Sequence, residues 1–349
     1  MEIQIPSLLR IKPHALYKVG KYLRKNGFSR IAVFYGEGVK TFVGQQLEIS
    51  LDSSEIYVAV EETVPRNAVE DVVASAFRLP REVGAIVAVG GGVAIDYAKY
   101  AGFLTRLPVI AVPTAISNDG FASPGASLYV NGKRTSAKAT IPFGVVIDTT
   151  VIQGSPPRFT YSGIGDLISK YGAIADWKLA YHSTGEPVND FSVMISLQSV
   201  ANLVNQPVKA INDLGFLQLV CGALVMSGVA MEVSGSSRPA SGGEHLVSHA
   251  YDQIASRPSM HGLQVGVATL ATMWLQQNPD RDTVLQVFKE TGFTEFMADN
   301  KLDRGAFLEA IRLAPSIKPG YHTVLSQPDA VGKLQEHVAG DPFWDAYLS

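Results

Sequence analysis

Residues 85–99 read AIVAVGGGVAIDYAK. Five apolar residues run without a polar break into Gly90-Gly91-Gly92, and a helical pattern starts close behind. Such a run is a strand buried on both faces, since a half-exposed strand would alternate apolar with polar. The pattern repeats outward in both directions. Upstream, residues 31–35 (IAVFY) and 56–60 are strand-like, while residues 39–49 and 69–77 show helical spacing. Downstream, residues 94–104 are helical, and residues 109–112 form a strand stopped by Pro113. Short apolar strands separated by helices predict an α/β domain, a parallel sheet with helices on both faces. Asn131-Gly132 interrupts the alternation with a tight hairpin turn, because both residues tolerate positive φ. The strand of residues 144–147 follows it.

Pro156-Pro157 marks the domain boundary, because two prolines discourage a helix across the junction. Residues 1–155 form the α/β domain and residues 156–349 an all-α domain. Helices are predicted over residues 160–181, 193–211, 214–232, 243–255 and 262–276.

Composition narrows the function classes. The chain has 349 residues, 46% hydrophobic and 17% charged, which is globular composition. A net charge of −3 offers no general attraction to nucleic acid or to an anionic membrane, so a small-molecule partner is expected. The richest apolar stretch, residues 216–231, carries Gln218, Ser227 and two glycines and reads as a buried helix, with no membrane insertion. Glu2 and the absence of a basic segment before an apolar run argue against a secretory signal. Cys221 is the single cysteine, so no intrachain disulfide can form and a reducing, cytoplasmic setting is expected. A homo-oligomer is also expected.

Four constellations can carry chemistry. At Gly90–Gly92 a strand enters a helix, and bare backbone amides with the helix dipole favour a phosphate; the plain alternative is a tight turn. Asp96 suits either the helix dipole or a nicotinamide ribose. Residues 111–128 set Thr114, Ser117 and Ser123 around Asp119 beyond a strand end, where ligands of open α/β sheets bind. Thr114 and Ser117 suit cofactor phosphate or amide groups, and Asp119 suits a substrate hydroxyl. Asp166 and Lys170 stand four apart on one helix face and read by themselves as an exposed ion pair. His245, His249 and His261 fall within seventeen positions, a pattern for a metal or an active site.

Taken together, the segments AVGGGVAIDYAK, SGIGDLISKYGAIADWKLA and SSRPASGGEHLVSHAYDQ resemble the superfamily of iron-dependent alcohol dehydrogenases, glycerol dehydrogenase and dehydroquinate synthase. Within it they are most similar to the sn-glycerol-1-phosphate dehydrogenase family. The resemblance spans residues 85–266 and implies an N-terminal Rossmann-like domain followed by a helical C-terminal domain. It implies NAD(P) on Gly91, Gly92, Val93, Asp96, Thr114, Ser117 and Ser123. It implies a divalent metal on Asp166, His245 and His261: zinc first, with Ni(II) and Fe(II) also suited. Asp119 and His249 become substrate contacts, with Asp166 also within reach, in a cleft between the domains. The implied reaction interconverts dihydroxyacetone phosphate and sn-glycerol 1-phosphate. Open alternatives are a dehydrogenase of unphosphorylated glycerol, a dehydroquinate-synthase-like cyclase or lyase using NAD transiently, and a non-catalytic nucleotide binder. Leu263, where many relatives carry Glu, and Tyr171-Gly172-Ala173 depart from the family pattern. Arg238 and Lys170 are candidate phosphate donors, and Glu61 with Glu62 at a strand end would favour NAD over NADP.

Overall fold

A computed structural model describes residues 3–349; Glu2 lies outside the described residues. The chain divides into a first unit ending at Pro156 and a second, Pro157–Ser349.

Among the described residues the first unit holds eight strands: β1 Leu8–Lys12, β2 Arg30–Gly36, β3 Tyr57–Val64, β4 Ala85–Gly90, β5 Val109–Pro113, β6 Gly125–Val130, β7 Lys133–Lys138 and β8 Gly144–Asp148. Its helices are α1 Val19–Lys25, α2 Lys40–Asp52, α3 Val69–Arg78, α4 Gly92–Thr105 and α5 Thr149–Gln153. Six strands form one parallel sheet in the order β1-β8-β5-β4-β2-β3. The apolar runs fill its centre: Val33, Val87, Ile110 and Val146 are 0–1% exposed. This is the doubly covered sheet that unbroken apolar strands predict.

Two local expectations need correction. The edge strand β1 was not foreseen; its sequence, LLRIK, alternates weakly, and it forms by pairing Leu8 with Gly144 and the following residues in register. Strand β3 runs on to Val64, so Glu61 and Glu62 lie inside it, not at its end. Glu61 pairs with Lys40 at 2.5 Å, and Glu62 accepts from Ser75. The argument for NAD over NADP loses its footing. The hairpin β6-β7 turns at Asn131 (φ 52°) and Gly132 (φ 74°), as the dipeptide predicts.

Among the described residues the second unit is helical: α6 Pro157–Ile168, α7 Lys170–Thr184, α8 Asp190–Val204, α9 Leu214–Ser234, α10 Gly243–Ile254, α11 His261–Leu275, α12 Arg281–Thr291, α13 Phe293–Asp299, α14 Arg304–Ile317 and α15 Ala330–Gly340. Helix α9 is long and apolar enough to cross a membrane by composition, yet Phe216, Leu217, Val220 and Leu224 are fully buried and the helix packs on α8. The single helix expected over residues 160–181 is two, broken at Ser169. There the main-chain carbonyl of Asp166 accepts from the Ser169 hydroxyl at 2.7 Å and the Lys170 ammonium at 2.8 Å. Two side chains thus cap a carbonyl at the end of α6. The helix expected to reach residue 211 ends at Val204.

Helices α6 and α11 cross in backbone contact. A Cβ on Gly262 would lie 1.9 Å from the Ser162 carbonyl oxygen, and one on Gly165 would lie 2.1 Å from the Gly262 carbonyl oxygen. Neither obstacle is a flexible side-chain tip, so the helices must separate to admit a methyl group. Gly262→Ala should therefore destabilise the protein by about 1–3 kcal/mol or more through overpacking. Gly332→Ala, on α15 with nothing within 4 Å, should be neutral or stabilising by up to about 1 kcal/mol. Denaturant melts of the two variants should shift in opposite directions; equal, small shifts would refute the crossing.

Candidate metal centre and nucleotide cradle

In the sheet of the first unit, β2 is flanked by β3 on one side and β4 on the other. The chain order reverses between β2 and β4, and in open α/β sheets ligands bind beyond the carboxyl ends of strands at that reversal. The glycine turn sits there. Gly90 is required by the fold: its φ is 152°, and a Cβ would meet the Gly36 amide at 3.1 Å. Gly91 and Gly92 are different, because a Cβ on either would meet nothing within 4 Å. Protein packing does not account for their missing side chains; a ligand drawn up to bare backbone would. Gly91 caps α4 without a side-chain bond, so the first-turn amides are open to an anion. Val93 is 42% exposed beside them.

The remaining cradle residues follow β5. The Thr114 amide donates to Gly90 O at 3.0 Å, which ties the two strand ends together. Ser117 is half-buried, and Asp119 opens a short 3-10 turn, Asp119–Ala122. Asp96 lies one residue past the first turn of α4, deeper than the sequence suggested. Its carboxylate accepts from the Ser127 amide at 3.1 Å and from Lys99 Nζ at 3.2 Å, joining α4 to the hairpin. Lys99 closes the same motif, and nothing in its sequence position marks it as important. It is fully buried and also reaches Gly120 O at 2.6 Å and Ser123 Oγ at 3.3 Å, so one ammonium pins the loop that carries Asp119.

In the second unit, Asp166 on α6, His245 on α10 and His261 on α11 each offer a donor atom, all within 4.8 Å of one another. Asp166 is 1% and His245 7% exposed. His245 Nε2 and Asp166 Oδ1 are 3.4 Å apart. Two donors on one tetrahedral ion, with bonds near 2.0–2.2 Å, lie about 3.4 Å apart, so the pair fits a metal. His249 stacks on His261 with ring centroids 5.4 Å apart, but its nitrogens are not part of the donor group.

Hydrogen bonds behind the rings assign the tautomers. His245 Nδ1 faces Glu244 Oε1 at 2.8 Å, and the same oxygen accepts from the Gly242 amide at 2.6 Å. An ionised carboxylate only accepts, so Nδ1 carries the proton and Nε2 is left for a metal. For His261 the route is longer. Gln264 Nε2 donates to Asp252 Oδ1 at 3.1 Å and to Ser259 O at 2.8 Å, which orients the amide. Gln264 Oε1 then accepts the Ser248 hydroxyl proton at 2.8 Å, so Ser248 Oγ accepts from His261 Nδ1 at 3.2 Å. His261 Nε2 carries the lone pair. Glu244, Ser248 and Gln264 were missed in the sequence; only their helical spacing from the histidines could have pointed to them.

Two expected phosphate donors change role. Arg238 is 1% exposed, and all three of its guanidinium nitrogens donate within the protein: two to Glu186 at 2.7 and 2.5 Å, one to His322 O at 2.7 Å. It also lies 3.6 Å over the Tyr321 ring. Three of its five N–H groups are thus spent inside the protein, on a side chain closed off from solvent. Lys170 is not an exposed partner of Asp166 but is fully buried against it.

Protonation competes with metal. Burial works against a charged His245, but Asp166 and Glu244 outweigh it and raise its pKa to about 9. Burial likewise opposes a charged Asp166, and Lys170 with His245 overrides it, holding the carboxyl well below its usual range. Asp166 is therefore ionised throughout, and a metal held at this candidate centre would have to displace the His245 proton. Zinc affinity should rise by up to about tenfold per pH unit between pH 7 and 9, then level off. The stabilisation from protonated His245 in the metal-free protein is full below about pH 6.5 and lost as pH rises through 9. Chelator-competition titrations at several pH values, with melts of the metal-free protein, test this; a pH-independent zinc affinity contradicts it. Gln264→Leu should weaken zinc binding about 10- to 100-fold with the fold retained.

Comparisons with known proteins place the chain among its relatives. Residues 10–156 match the family described as iron-containing alcohol dehydrogenase. The glycerol-1-phosphate dehydrogenase [NAD(P)+] of Thermococcus kodakarensis is 32% identical over 97% of this chain and 96% of its own. That of Methanosarcina barkeri is 36% identical over 84% and 82%. The glycerol dehydrogenase structure from Schizosaccharomyces pombe superposes with a TM-score of 0.78 at 20% identity, covering 97% of this chain and 91% of that one. A sulfoacetaldehyde reductase from Bifidobacterium kashiwanohense, solved with NAD+, gives 0.74 at 17%, covering 97% and 98%. These two share the fold. Identity above 30% along nearly the whole length goes further: the chain belongs to the glycerol-1-phosphate dehydrogenase family.

Proposed function

We propose that the protein interconverts dihydroxyacetone phosphate and sn-glycerol 1-phosphate with NAD(P)H, using a divalent metal on Asp166, His245 and His261. The observation that carries this is the convergence of those three donors in a chain so similar to proteins named for that activity. Zinc is the first choice for the ion, and the same donors suit Ni(II) or Fe(II). When bound, the ion supplies Lewis acidity for a ketone oxygen, and the nicotinamide supplies or accepts the hydride.

The chain's own residues do the rest. Gly91 and Gly92 admit the cofactor pyrophosphate to the open amides of α4, beside Val93. Thr114, Ser117 and Ser123 offer hydroxyls to the cofactor, and Asp96 holds the neighbouring hairpin in place or reaches a ribose. Asp119 accepts a hydrogen bond from a substrate hydroxyl, which orients the carbon to be reduced. Glu244 and Ser248 hold the two histidine rings so that Nε2 of each is available. His249 stands one helical turn beyond His245 and is read as a substrate contact, because a fourth protein ligand would close the position that catalysis needs.

Initial rates of NADH and NADPH oxidation, with dihydroxyacetone phosphate and with dihydroxyacetone, test the proposal on zinc-loaded protein. The phosphorylated ketone should be preferred. Preference for dihydroxyacetone would transfer the assignment to a glycerol dehydrogenase, and no net oxidation with either ketone would refute the dehydrogenase reading. His249→Ala should lower kcat/KM for dihydroxyacetone phosphate about 10- to 100-fold, for a charged hydrogen bond of roughly 1.5–3 kcal/mol, with metal still bound. An equal loss on both ketones would show that His249 does not read the phosphate.

A further inference from the structure

The carboxylate of Asp166 is divided between two neighbours. Oδ1 faces His245 Nε2 at 3.4 Å, and Oδ2 lies 3.5 Å from Lys170 Nζ. The same ammonium donates to the main-chain carbonyl of Asp166 at 2.8 Å, so Lys170 is anchored to the residue it pairs with. Both side chains are buried, at 0% and 1% exposure. A buried ammonium is costly unless paired, and removing either partner leaves an uncompensated charge. The break at Ser169 is what makes this possible, because it leaves the Asp166 carbonyl to the side chains of Ser169 and Lys170.

We propose that Lys170 is a positioning residue that restricts Asp166 to one-oxygen coordination and so keeps a coordination position open for the substrate. The inference rests on the metal reading given above. A carboxylate with no such neighbour can chelate an ion through both oxygens. With two histidines that would give four protein donors, the count of a closed structural site. An ammonium on Oδ2 leaves three donors and an opening. It also places a positive charge near the ion, which weakens the hold of the site on a dication. Lys170 therefore limits metal affinity in exchange for an accessible ion.

The test is cobalt substitution of the whole protein, read by visible absorption. Wild type should bind one Co(II) with the intense bands of low coordination number. In Lys170→Met the second oxygen is released. Cobalt should bind as tightly or more tightly, the bands should weaken several-fold as coordination rises, and kcat/KM should fall by at least about tenfold. Lys170→Gln removes the charge but keeps a donor for the Asp166 carbonyl, and carries the same expectations if Lys170→Met does not fold. A helix-capping role alone would lower the melting temperature and leave the cobalt spectrum at saturation unchanged. That result in the folded variant overturns the proposal while the metal reading stands. A wild type that binds no Co(II) overturns the metal reading itself, and this inference with it.

Discussion

Where α6 and α11 cross, Gly165 and Gly262 allow main chain to touch main chain, and the candidate metal-donor set depends on that contact. Asp166 follows Gly165, and His261 precedes Gly262. An alanine at either glycine would force the helices apart, because the obstacles at 1.9 and 2.1 Å are carbonyl oxygens. The crossing is fastened by the Gly262 amide, which donates to Ser162 Oγ at 3.1 Å. Helix α10, packed on α11, then brings His245 and His249 to the same place. Close approach of two backbones thus sets the spacing of three side chains that are up to 95 positions apart in sequence.

Such a site gathers charge in a dry region, and its stability depends on pairing. Asp166 is matched by Lys170 and by the histidines, while His245 has a carboxylate on either side. Asp176, fully buried nearby, accepts from the amides of Gly243 and Val324, and burial together with Glu244 raises its pKa to about 7. Charge near the donor atoms is thus met by oriented backbone dipoles. Preorganisation of this kind costs folding stability and spares reorganisation during the reaction.

The nucleotide cradle has a separate origin. As a candidate site it follows from sheet topology, since strand order reverses between β2 and β4, and ligands of open α/β sheets bind beyond the carboxyl ends of strands at such a reversal. Gly90 serves the fold there, while Gly91 and Gly92 leave backbone uncovered. Lys99 beneath the turn joins Asp96, Gly120 and Ser123, so the helix, the loop and the hairpin entry are held by one buried cation.

Sequence alone determined the fold class, the main strands of the first unit and the cluster of histidines. Unbroken apolar runs, Asn-Gly and helical spacing act over a few residues, and local sterics and burial suffice to interpret them. Tertiary structure decided the rest. Strand β1 exists through its register with β8, and the break at Ser169 through side chains that cap a carbonyl. Lys170 read as half of an exposed ion pair and Arg238 as a phosphate donor, because sequence position carries no information about what packs over a side chain. Their burial, and the tautomers set by Glu244 and by the Gln264–Ser248 chain, depend on partners brought together only when separate helices pack. Hydrogen-bond direction is a property of that assembled network, and no stretch of sequence contains it.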